Sequence, residues 1–375
     1  MKISAIISEY NPFHNGHKYQ IDTAKEITGC DAVIALMSGN IVQRADFSIF
    51  DKSIRASAAL NGGIDLVLEN PSLSVLQSAE GYAYSAVATL TKLNCVDFLV
   101  FGSECSSLDD LNKIAQLLAT EDNEFKNTLS QELSKGNTFA SARGKAVAHF
   151  LGKDAENILK QPNNLLAIEY LKAIIRQGSS LKPILIKRTG TDHNSMHSNN
   201  GFASATLIRE NLLNKRPIAN FVPRPAIYEN QLPFDIKFVE KAIISSVLLL
   251  SKEKLAQCPD VAEGLENKIK DVVYKTDTLD GLFTLIKSKR YTHSRLRRII
   301  LSAYLGITKD DIVKEPCYIK ILDFNENGQK VLNYAKKTTL LPLCKNATPL
   351  LKNAYAMNIW KKELAFDKVY EIFSK

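Results

Sequence analysis

The sequence contains few cysteines, none of them closely paired, and no segment that would carry the chain into a membrane. The cysteines are Cys30, Cys95, Cys105, Cys258, Cys317 and Cys344. Because no two of them form a Cys-x-x-Cys pair, they indicate reduced thiols in a cytosolic protein. The N-terminus has no apolar stretch followed by a cleavage site, and no apolar window approaches the length of a membrane span. We therefore expect a cytoplasmic protein with no membrane partner.

Charge is also not extreme, and the sequence has no internal repeat and no low-complexity tract. Of 375 residues, 23% are charged and 45% are hydrophobic, which is ordinary for a globular protein. The formal net charge of +8 permits a polyanionic partner without requiring one. The length favours two domains over one.

Short apolar runs alternate with helical stretches over about the first 110 residues. Strands are predicted at residues 3–8, 32–37, 66–68, 98–101 and 183–187. Helices are predicted near residues 17–28, 53–61, 78–93 and 164–177, and the stretch from about 108 to 151 is mostly helical. This alternation indicates an α/β fold with a Rossmann-like, doubly wound parallel sheet. The helical block between the fourth and fifth strands would be an insertion.

Prolines mark a linker after the fifth strand. Pro217, Pro223, Pro225 and Pro233 fall within a stretch of nineteen residues, 215–233. We therefore expect one domain at residues 1–218 and a second, mostly helical domain at 219–375. The second domain would contain helices at residues 236–251, 262–274, 279–288, 292–304 and 354–373, and a strand at 318–322.

The most informative segment is His-Asn-Gly-His at residues 14–17, which follows the first strand and opens the first helix. A strand, a turn with a glycine and a helix N-terminus form a place where backbone N–H groups bind phosphate. His14 and His17 are three residues apart, so both rings can face the same anion. Gly16 lets a nucleotide approach where a side chain would obstruct it.

This arrangement suits chemistry at the α-phosphate of ATP. Attack there expels pyrophosphate, and negative charge grows on the bridging oxygen in the transition state. His14 and His17 would stabilise that charge together with main-chain N–H groups and the helix dipole. The pattern is weak when it stands alone, and a helix cap without a catalytic role is the alternative.

A second element follows the fifth strand, at residues 203–209. Ser204 can cap a helix, and Thr206 and Arg209 lie one turn apart on its first face. Arg209 would then clamp the β- and γ-phosphates from the opposite side. The alternative is a capped surface helix with a solvated arginine.

These two elements together resemble the HIGH-signature nucleotidyltransferase superfamily, whose second motif reads roughly Ile-Ser-Ser-Thr-x-x-Arg. The chain departs from that motif at Ala203 and Ala205, which leaves Ser204, Thr206 and Arg209 as matching positions. A more specific resemblance, over nearly the whole chain, is to the bacterial tRNA(Met) cytidine acetate ligases. It rests on residues 6–17, 38–44, 101–104, 161–170 and 187–190. After the Gln-Arg pair, where that family usually has glycine, this chain has alanine at position 45.

The resemblance implies an ATP-dependent ligase. Such an enzyme activates acetate as acetyl-adenylate and then acetylates N4 of the wobble cytidine of elongator tRNA(Met). The expected ligands are therefore ATP, acetate and this tRNA, and not DNA. Mg²⁺ on the ATP phosphates is expected from the chemistry, although no protein ligand set is visible in the sequence. Residues 1–218 would be the nucleotidyltransferase-like, ATP-binding catalytic domain, and residues 219–375 would bind tRNA.

The same resemblance implies the nucleotide-binding residues, with His14, His17 and Arg209 as the catalytic ones. The predicted nucleotide-binding residues are Ile7, Ser8, Glu9, Tyr10, Asn11, Pro12, Phe13, His14, Asn15, Gly16, His17, Lys18, Tyr19, Gln20, Gly102, Asn163, Asn164, Arg188, Ser204 and Thr206. Most of them form one continuous segment around the histidines.

The isolated positions also have a physical rationale. Gly102 ends the fourth strand, where open sheets bind ligands, and a simple strand-to-loop turn is the alternative. Asn163 and Asn164 precede a predicted helix, so one would cap it and the other would reach the ligand. The sequence does not separate these two asparagines. Arg188 leaves the end of the fifth strand beside the same crevice, unless it is a solvated loop residue.

Two further groups of polar residues are less specific. Gln43, Arg44 and Asp46 would shape the acetate pocket or hold metal-bound phosphate, and an ordinary loop salt bridge is the alternative. His193 and His197 have metal-compatible spacing but lack a nearby cysteine or strong carboxylate partner. We therefore predict no protein-bound metal.

The densest basic run lies in the second predicted domain. The predicted RNA-binding residues are Lys289, Arg290, Arg295, Arg297 and Arg298. Basic groups interleaved with aromatic rings suit phosphate contact and base stacking. A solvated helix face is the alternative, and the resemblance to an RNA-modifying family favours RNA. The acceptor base would have to flip out of the anticodon stack to reach the ATP crevice.

Two other functions stay open at this point. A small-molecule adenylyltransferase of cofactor synthesis would use the same phosphate machinery, but it gives no role to a basic C-terminal domain. A non-catalytic RNA-binding protein with a vestigial nucleotide site is the second alternative. The presence of both histidines and of Arg209 argues against it.

Overall fold

A seven-stranded, mostly parallel sheet forms the centre of the fold. The computed structural model describes residues 1–188, 202–262, 264–288, 291–313 and 315–374. The strands are β1 (Ile3–Ser8), β2 (Ala32–Ser38), β3 (Ile41–Val42), β4 (Asp46–Phe47), β5 (Leu66–Asn70), β6 (Phe98–Ser103), β7 (Lys182–Lys187), β8 (Ile319–Phe324) and β9 (Leu343–Cys344). The order across the sheet is β7-β6-β1-β2-β5-β8-β9, and β3 and β4 form a separate hairpin.

Helices cover both faces of the sheet and build the rest of the molecule. The α-helices are α1 (Asn15–Thr28), α2 (Lys52–Asn61), α3 (Ser72–Val75), α4 (Ala79–Leu93), α5 (Leu108–Thr120), α6 (Asn123–Ser134), α7 (Phe139–Leu151), α8 (Lys153–Leu159), α9 (Pro162–Gln177), α10 (Ala205–Leu213), α11 (Lys237–Leu249), α12 (Lys252–Ala256), α13 (Leu265–Val273), α14 (Leu279–Ile286), α15 (His293–Leu305), α16 (Glu326–Thr338) and α17 (Ala354–Phe373). Short 3₁₀ helices lie at Pro225–Ile227, Lys309–Asp311 and Thr348–Leu350.

The central strands are buried because helices pack on both of their faces. Every residue of β2 is buried, and strands of this kind are near-continuous apolar runs in the sequence. One face of β1 and β2 packs against α4, α5 and α9. The other face packs against α1 and α2. The predicted doubly wound α/β sheet is therefore confirmed.

The strand order reverses beside β1, and this reversal positions the ligand site. β1 pairs in parallel with β2 on one side and with β6 on the other. The chain leaves β1 toward α1 on one face of the sheet and leaves β6 toward α5 on the opposite face. A crevice opens between the carboxyl ends of two such strands, and open α/β sheets bind ligands there.

The helical insertion lies between β6 and β7, as predicted. It consists of α5 to α9, and α9 returns the chain to the sheet beside α4 and α5. β7 then pairs in parallel with β6, with Gly102 opposite Ile186. The insertion therefore delivers the start of α9 and the end of β7 to the crevice.

The C-terminal part of the chain contributes to the same sheet. β8 pairs antiparallel with β5, and β9 pairs in parallel with β8. α16, which the sequence pattern did not predict, buries Val331, Leu332 and Ala335 as its inner face. The sheet thus contains strands from both sides of the predicted boundary at residues 218 and 219, and the division into two domains stays a prediction.

The remaining C-terminal helices form a helical layer with a core of its own. α11, α13, α14, α15 and α17 share this core with Ile41 and Phe47 of the β3–β4 hairpin. The hairpin therefore joins the sheet region to the helical layer. Within the described ranges, no helix is both long enough and apolar enough to cross a membrane.

Candidate functional site

A cleft of about 510 Å³ opens at the carboxyl ends of β1, β6 and β7. The predicted residues that line it are Ile7, Ser8, Glu9, Tyr10, Asn11, His14, Gly16, His17, Tyr19, Gln20, Gly102, Asn163, Arg188, Ser204 and Arg209. The predicted residues outside its lining are Pro12, Phe13, Asn15, Lys18, Asn164 and Thr206. The fold thus brings both predicted motifs to one place, although they are separated by almost two hundred residues.

The two histidines start α1 and stack on each other. His14 is the N-cap residue, and its Nδ1 accepts the backbone N–H of Gly16 at 3.1 Å. His17 returns the interaction, because its Nδ1 accepts the backbone N–H of His14 at 3.2 Å. The ring centroids are 3.7 Å apart and the ring planes differ by 23°. Reciprocal bonds of this kind form a capping box, here built from imidazoles.

These bonds determine which ring nitrogen carries the proton. A nitrogen that accepts an N–H has no hydrogen of its own, so the neutral forms of His14 and His17 are protonated at Nε2. Both residues line the cleft, so their Nε2–H groups are the candidate donors to an anion in it. The capping alternative and the catalytic interpretation are therefore compatible, since Nδ1 serves the helix and Nε2 can serve a ligand.

Gly16 and the buried aromatic residues keep the pair in place. A Cβ on Gly16 would lie 3.0 Å from Cε1 of His14, so a side chain there would press on the histidine ring. Tyr10 and Phe13 are each 1% exposed, and their ring centroids lie 4.9 and 5.6 Å from that of His17. The imidazoles therefore sit in a packed wall rather than on a mobile loop.

The second motif holds the turn before α1. Ser204 is the N-cap of α10, and its side chain accepts the backbone N–H of Leu207 at 3.1 Å. Arg209 donates from Nη1 to the carbonyl oxygen of Asn11 at 2.9 Å. Its Nη2 donates to Oγ1 of Thr206 at 3.2 Å. Thr206 therefore orients the guanidinium group instead of lining the cleft itself.

Several arginines give the cleft a positive potential. Burial lowers the pKa of Arg209, and repulsion by Arg44 lowers it further. Burial also lowers the pKa of Arg188. The nearby Glu104 opposes this shift, and repulsion by Arg44 adds to it. All three arginines line the cleft. Repulsion among cations is relieved when an anion binds between them, so the site favours an anionic ligand.

Gly102 makes room for one of these arginines. It lies inside β6 rather than in a turn, opposite Ile186 of β7. A Cβ on Gly102 would lie 3.3 Å from Cγ of Arg188, which is tighter than an ordinary contact. The absence of a side chain lets the Arg188 stem cross the strand and reach the cleft.

The structure distinguishes the two asparagines that the sequence left unresolved. The prediction that one of them caps the helix is wrong, because α9 begins at Pro162 with Gln161 as its N-cap. Glu104 acts there instead, since its carboxylate accepts the backbone N–H of Asn164 at 2.9 Å. The Asn164 side chain accepts the hydroxyl of Ser103 at 2.6 Å and the N–H of Cys105 at 2.8 Å. Asn163 lines the cleft, and Asn164 stabilises the loop after β6.

This difference predicts opposite results for two alanine variants. Asn163→Ala removes a group from the cleft wall and its hydrogen bond to Glu104, so ATP affinity should fall by about 3–10-fold with a smaller loss of stability than in Asn164→Ala. Asn164→Ala removes the acceptor of the buried Ser103 hydroxyl and the donor to the Ile158 carbonyl oxygen, which costs about 1–3 kcal/mol of stability. Calorimetric ATP titration and thermal denaturation measure the two effects. A loss of ATP affinity in Asn164→Ala at unchanged stability would contradict the assignment.

The loop after β2 completes the cleft, and a buried arginine holds it. Gln43 and Arg44 line the cleft, as the sequence suggested, whereas Asp46 does not. Arg55 is fully buried and donates to the carbonyl oxygens of Glu9 and Ser38. It thereby ties the segment after β1 to the segment after β2. No sequence motif marks this role, since Arg55 lies in what looks like an ordinary surface helix.

The apolar wall of the cleft was also missed. Tyr82 on α4 and Tyr170 on α9 line the cleft with Phe101 and Leu166. Burial, the largest cause, and the nearby Glu9 raise the pKa of Tyr82. No motif marks these positions, because aromatic residues at helical spacing are indistinguishable from core residues in a sequence.

The basic run makes contacts within the protein itself. Arg297 pairs with Asp46 of the β3–β4 hairpin at 2.7 Å, and Arg295 donates to the carbonyl oxygen of Asp260. Arg298 is 8% exposed and pairs with Asp260 at 2.8 Å, so we assign it a structural role. Lys289 and Arg290 lie outside the described residues, as do His193 and His197. RNA contact by Arg295 and Arg297 stays a prediction.

The described residues contain no group of three or more His, Cys, Asp or Glu side chains that could hold a metal ion. The described cleft wall includes a single carboxylate, that of Glu9. Magnesium prefers several oxygen ligands, so in this cleft most of them would have to come from ATP phosphates and water.

Comparisons with known proteins agree with this geometry. Residues 1–375 match the family described as HIGH Nucleotidyl Transferase. A tRNA(Met) cytidine acetate ligase of Thermoanaerobacter sp. (strain X514) is 40% identical, over 100% of this chain and 96% of the relative. The apo crystal structure of Thermotoga maritima TmcAL superposes with a TM-score of 0.94 at 29% identity, covering 100% of this chain and 95% of that one. The form bound to alpha-thio ATP superposes with a TM-score of 0.91 at the same identity and coverage.

Proposed function

This chain belongs to the HIGH nucleotidyl transferase family and, within it, to the tRNA(Met) cytidine acetate ligases, and from that premise we propose its reaction. It joins acetate to ATP as acetyl-adenylate and transfers the acetyl group to N4 of the wobble cytidine of elongator tRNA(Met). The observation that carries the proposal is the stacked His14–His17 pair at the N-terminus of α1, in the crevice beside β1.

The first step is attack on the α-phosphate. An acetate oxygen forms a bond to the α-phosphorus, the bond to the bridging oxygen breaks, and pyrophosphate leaves with that electron pair. The Nε2–H groups of His14 and His17 and the N-terminal N–H groups of α1 donate to the oxygens that gain charge. Arg209 and Arg188 hold the departing phosphates, and Asn163 and Gly102 belong to the wall that receives the nucleoside.

Magnesium accompanies ATP in this proposal without a dedicated protein site. It would be held by phosphate oxygens and water, since Glu9 is the sole carboxylate among the described lining residues. When bound, the ion neutralises phosphate charge. The protein's own contribution is to orient the phosphates between the arginines and the two histidines.

The second step requires the anticodon to reach the same cleft. Ser294, in the first turn of α15, lines the cleft, so the start of the helix that carries Arg295 and Arg297 borders the site. The β3–β4 hairpin, whose turn carries Arg44, is joined to α15 by the ion pair of Asp46 and Arg297. We place the entry of the flipped cytidine between this hairpin and α15, with Lys289, Arg290, Arg295 and Arg297 as candidate phosphate contacts.

A test of the proposed function separates it from both alternatives. The purified full chain, with ATP and radiolabelled pyrophosphate, should catalyse exchange that depends on acetate and needs no tRNA. With elongator tRNA(Met) added, mass spectrometry should detect acetylation of the wobble cytidine. Exchange that requires a phosphorylated cofactor precursor would identify an adenylyltransferase. RNA binding without any exchange would identify a non-catalytic protein.

A further inference from the structure

Glu9 is unusual in the composition of the cleft. It is the sole carboxylate among the described lining residues, and the charged residues that share the wall with it are Arg44, Lys187, Arg188 and Arg209. ATP and acetate are both anions, so a carboxylate in their site opposes the binding of each. Its carboxylate suits a ligand group that donates N–H, such as the exocyclic amine of a nucleobase, which acetate lacks.

The Glu9 side chain is held in a defined position. Its Oε1 accepts the backbone N–H of Gln43 at 2.8 Å, which ties it to the loop after β2. Its own carbonyl oxygen accepts from the buried Arg55. Glu9 is thus fixed from two sides, between the β1–α1 turn and the loop that carries Arg44. A carboxylate held in this way can accept a ligand N–H without the entropy loss of ordering a flexible side chain.

The acceptor nucleobase supplies the matching group. Cytosine presents an exocyclic N4 amine with two N–H donors, and Asp or Glu carboxylates accept from it. Uracil presents the O4 acceptor at the same place, which a carboxylate repels. The geometry points to Glu9 as the residue that receives the acceptor cytosine. Its carboxylate accepts a hydrogen bond from N4 and takes the proton that N4 loses on acetylation.

The transfer step then balances. N4 attacks the carbonyl carbon of acetyl-adenylate, a C–N bond forms, and the C–O bond to the AMP phosphate breaks. The electron pair of that bond leaves with AMP, and one N4 proton passes to Glu9 and then to solvent. Proton removal by a positioned carboxylate contributes about 10²–10⁴-fold in rate. This inference rests on the proposed function, because it assigns a role within the second step alone.

The substitution Glu9→Gln tests it. The amide oxygen of glutamine can still accept the N–H of Gln43 and one N–H of cytosine, but it cannot take a proton. Acetate-dependent exchange without tRNA should fall by far less than transfer, because exchange involves no N4 proton, and the exchange that remains shows that the variant folds. Single-turnover acetyl transfer to elongator tRNA(Met) should fall by about 10²–10⁴-fold. Glu26→Gln, which removes an exposed carboxylate of α1, is the matched control and should change neither rate.

A specificity measurement completes the test. Glu9→Ala should also lose discrimination, so that tRNA with uridine at the wobble position competes with the cytidine form better than it does for the wild type. Unchanged transfer in Glu9→Gln would overturn the inference and assign the proton to the AMP phosphate. A parallel fall of exchange and transfer would overturn it as well and place Glu9 at the adenine amine or at ATP-bound magnesium. Absence of exchange in the wild type would instead overturn the proposed function.

Discussion

The double variant His14→Ser/His17→Gln should lose acetate-dependent ATP–pyrophosphate exchange almost entirely while keeping the stability of the protein. Serine at the N-cap and glutamine three residues later form the usual capping box, so α1 still begins at the same place. The two Nε2–H donors are removed. Loss of one preorganised donor of this kind costs about 10²–10³-fold in rate. The measurement is the exchange rate, with thermal denaturation as the check on folding.

The single variants show whether the histidines act together. The exchange rate of each single variant should fall by about 10²–10³-fold. If both histidines donate to the same oxygen, the loss in the double variant should be smaller than the product of the two single losses. tRNA binding should be largely intact in all three, because in the proposed reaction the pair contacts the ATP phosphates. A double variant with the wild-type exchange rate would show that the two imidazoles only cap α1.

The second large effect concerns stability. Lys52→Met should lower the free energy of unfolding by about 3–5 kcal/mol, because it removes the cation from a buried group of charges. Lys52 pairs with Glu69 at 2.8 Å and also with Asp367 of α17. Burial alone would lower the pKa of Lys52, but the two carboxylates raise it above its ordinary value. Without Lys52, one lysine would face both carboxylates, because Lys320 lies 2.6 Å from Glu69 and 3.7 Å from Asp367. One of the two negative charges would then lack a cation of its own.

The control for this variant is an exposed ion pair in the same molecule. Lys241 and Asp277 pair at 2.8 Å, with side chains 72% and 77% exposed, so Lys241→Met should lower the free energy of unfolding far less than Lys52→Met. Urea denaturation monitored by circular dichroism measures both variants. Equal losses in the two would show that burial of the Lys52 group contributes nothing. A matched double variant, Lys52→Met/Asp367→Asn, should lose less than the sum of its single variants.

A second buried carboxylate also joins the C-terminal helix to the sheet region. Glu363 of α17 accepts the backbone N–H groups of Ser72 and Leu73 at 2.9 and 3.0 Å. Burial and the nearby Glu69 raise the pKa of Glu363 to about 7. These contacts join residues almost three hundred positions apart, so no local pattern in the sequence indicates them.

Several structural features were predictable from the residues because they have local causes. The parallel strands β1, β2 and β6 are largely buried and read as apolar runs, and such runs predict strands of this kind. The N-terminus of α1 and its histidines follow from a strand, a glycine and a polar segment in close succession. The family resemblance extended this to the nucleotide site and the reaction. The fold and the family are confirmed, and the individual site residues stay predictions.

The sequence by itself determined the fold class, the family, and the segments that meet at the cleft. Those properties depend on periodicity, turn chemistry and short motifs, all of which act between neighbours along the chain. The tertiary structure alone decided that Asn163 faces the cleft while Asn164 holds a loop, that Arg298 is buried against Asp260, and that β8 and β9 extend the sheet beyond β5. It also placed Glu9 as the one carboxylate beside the cationic side chains among the described residues that line the cleft. Each of these depends on which distant segment packs opposite, and residues far apart in the chain become neighbours only when the strands pair and the helices cover them.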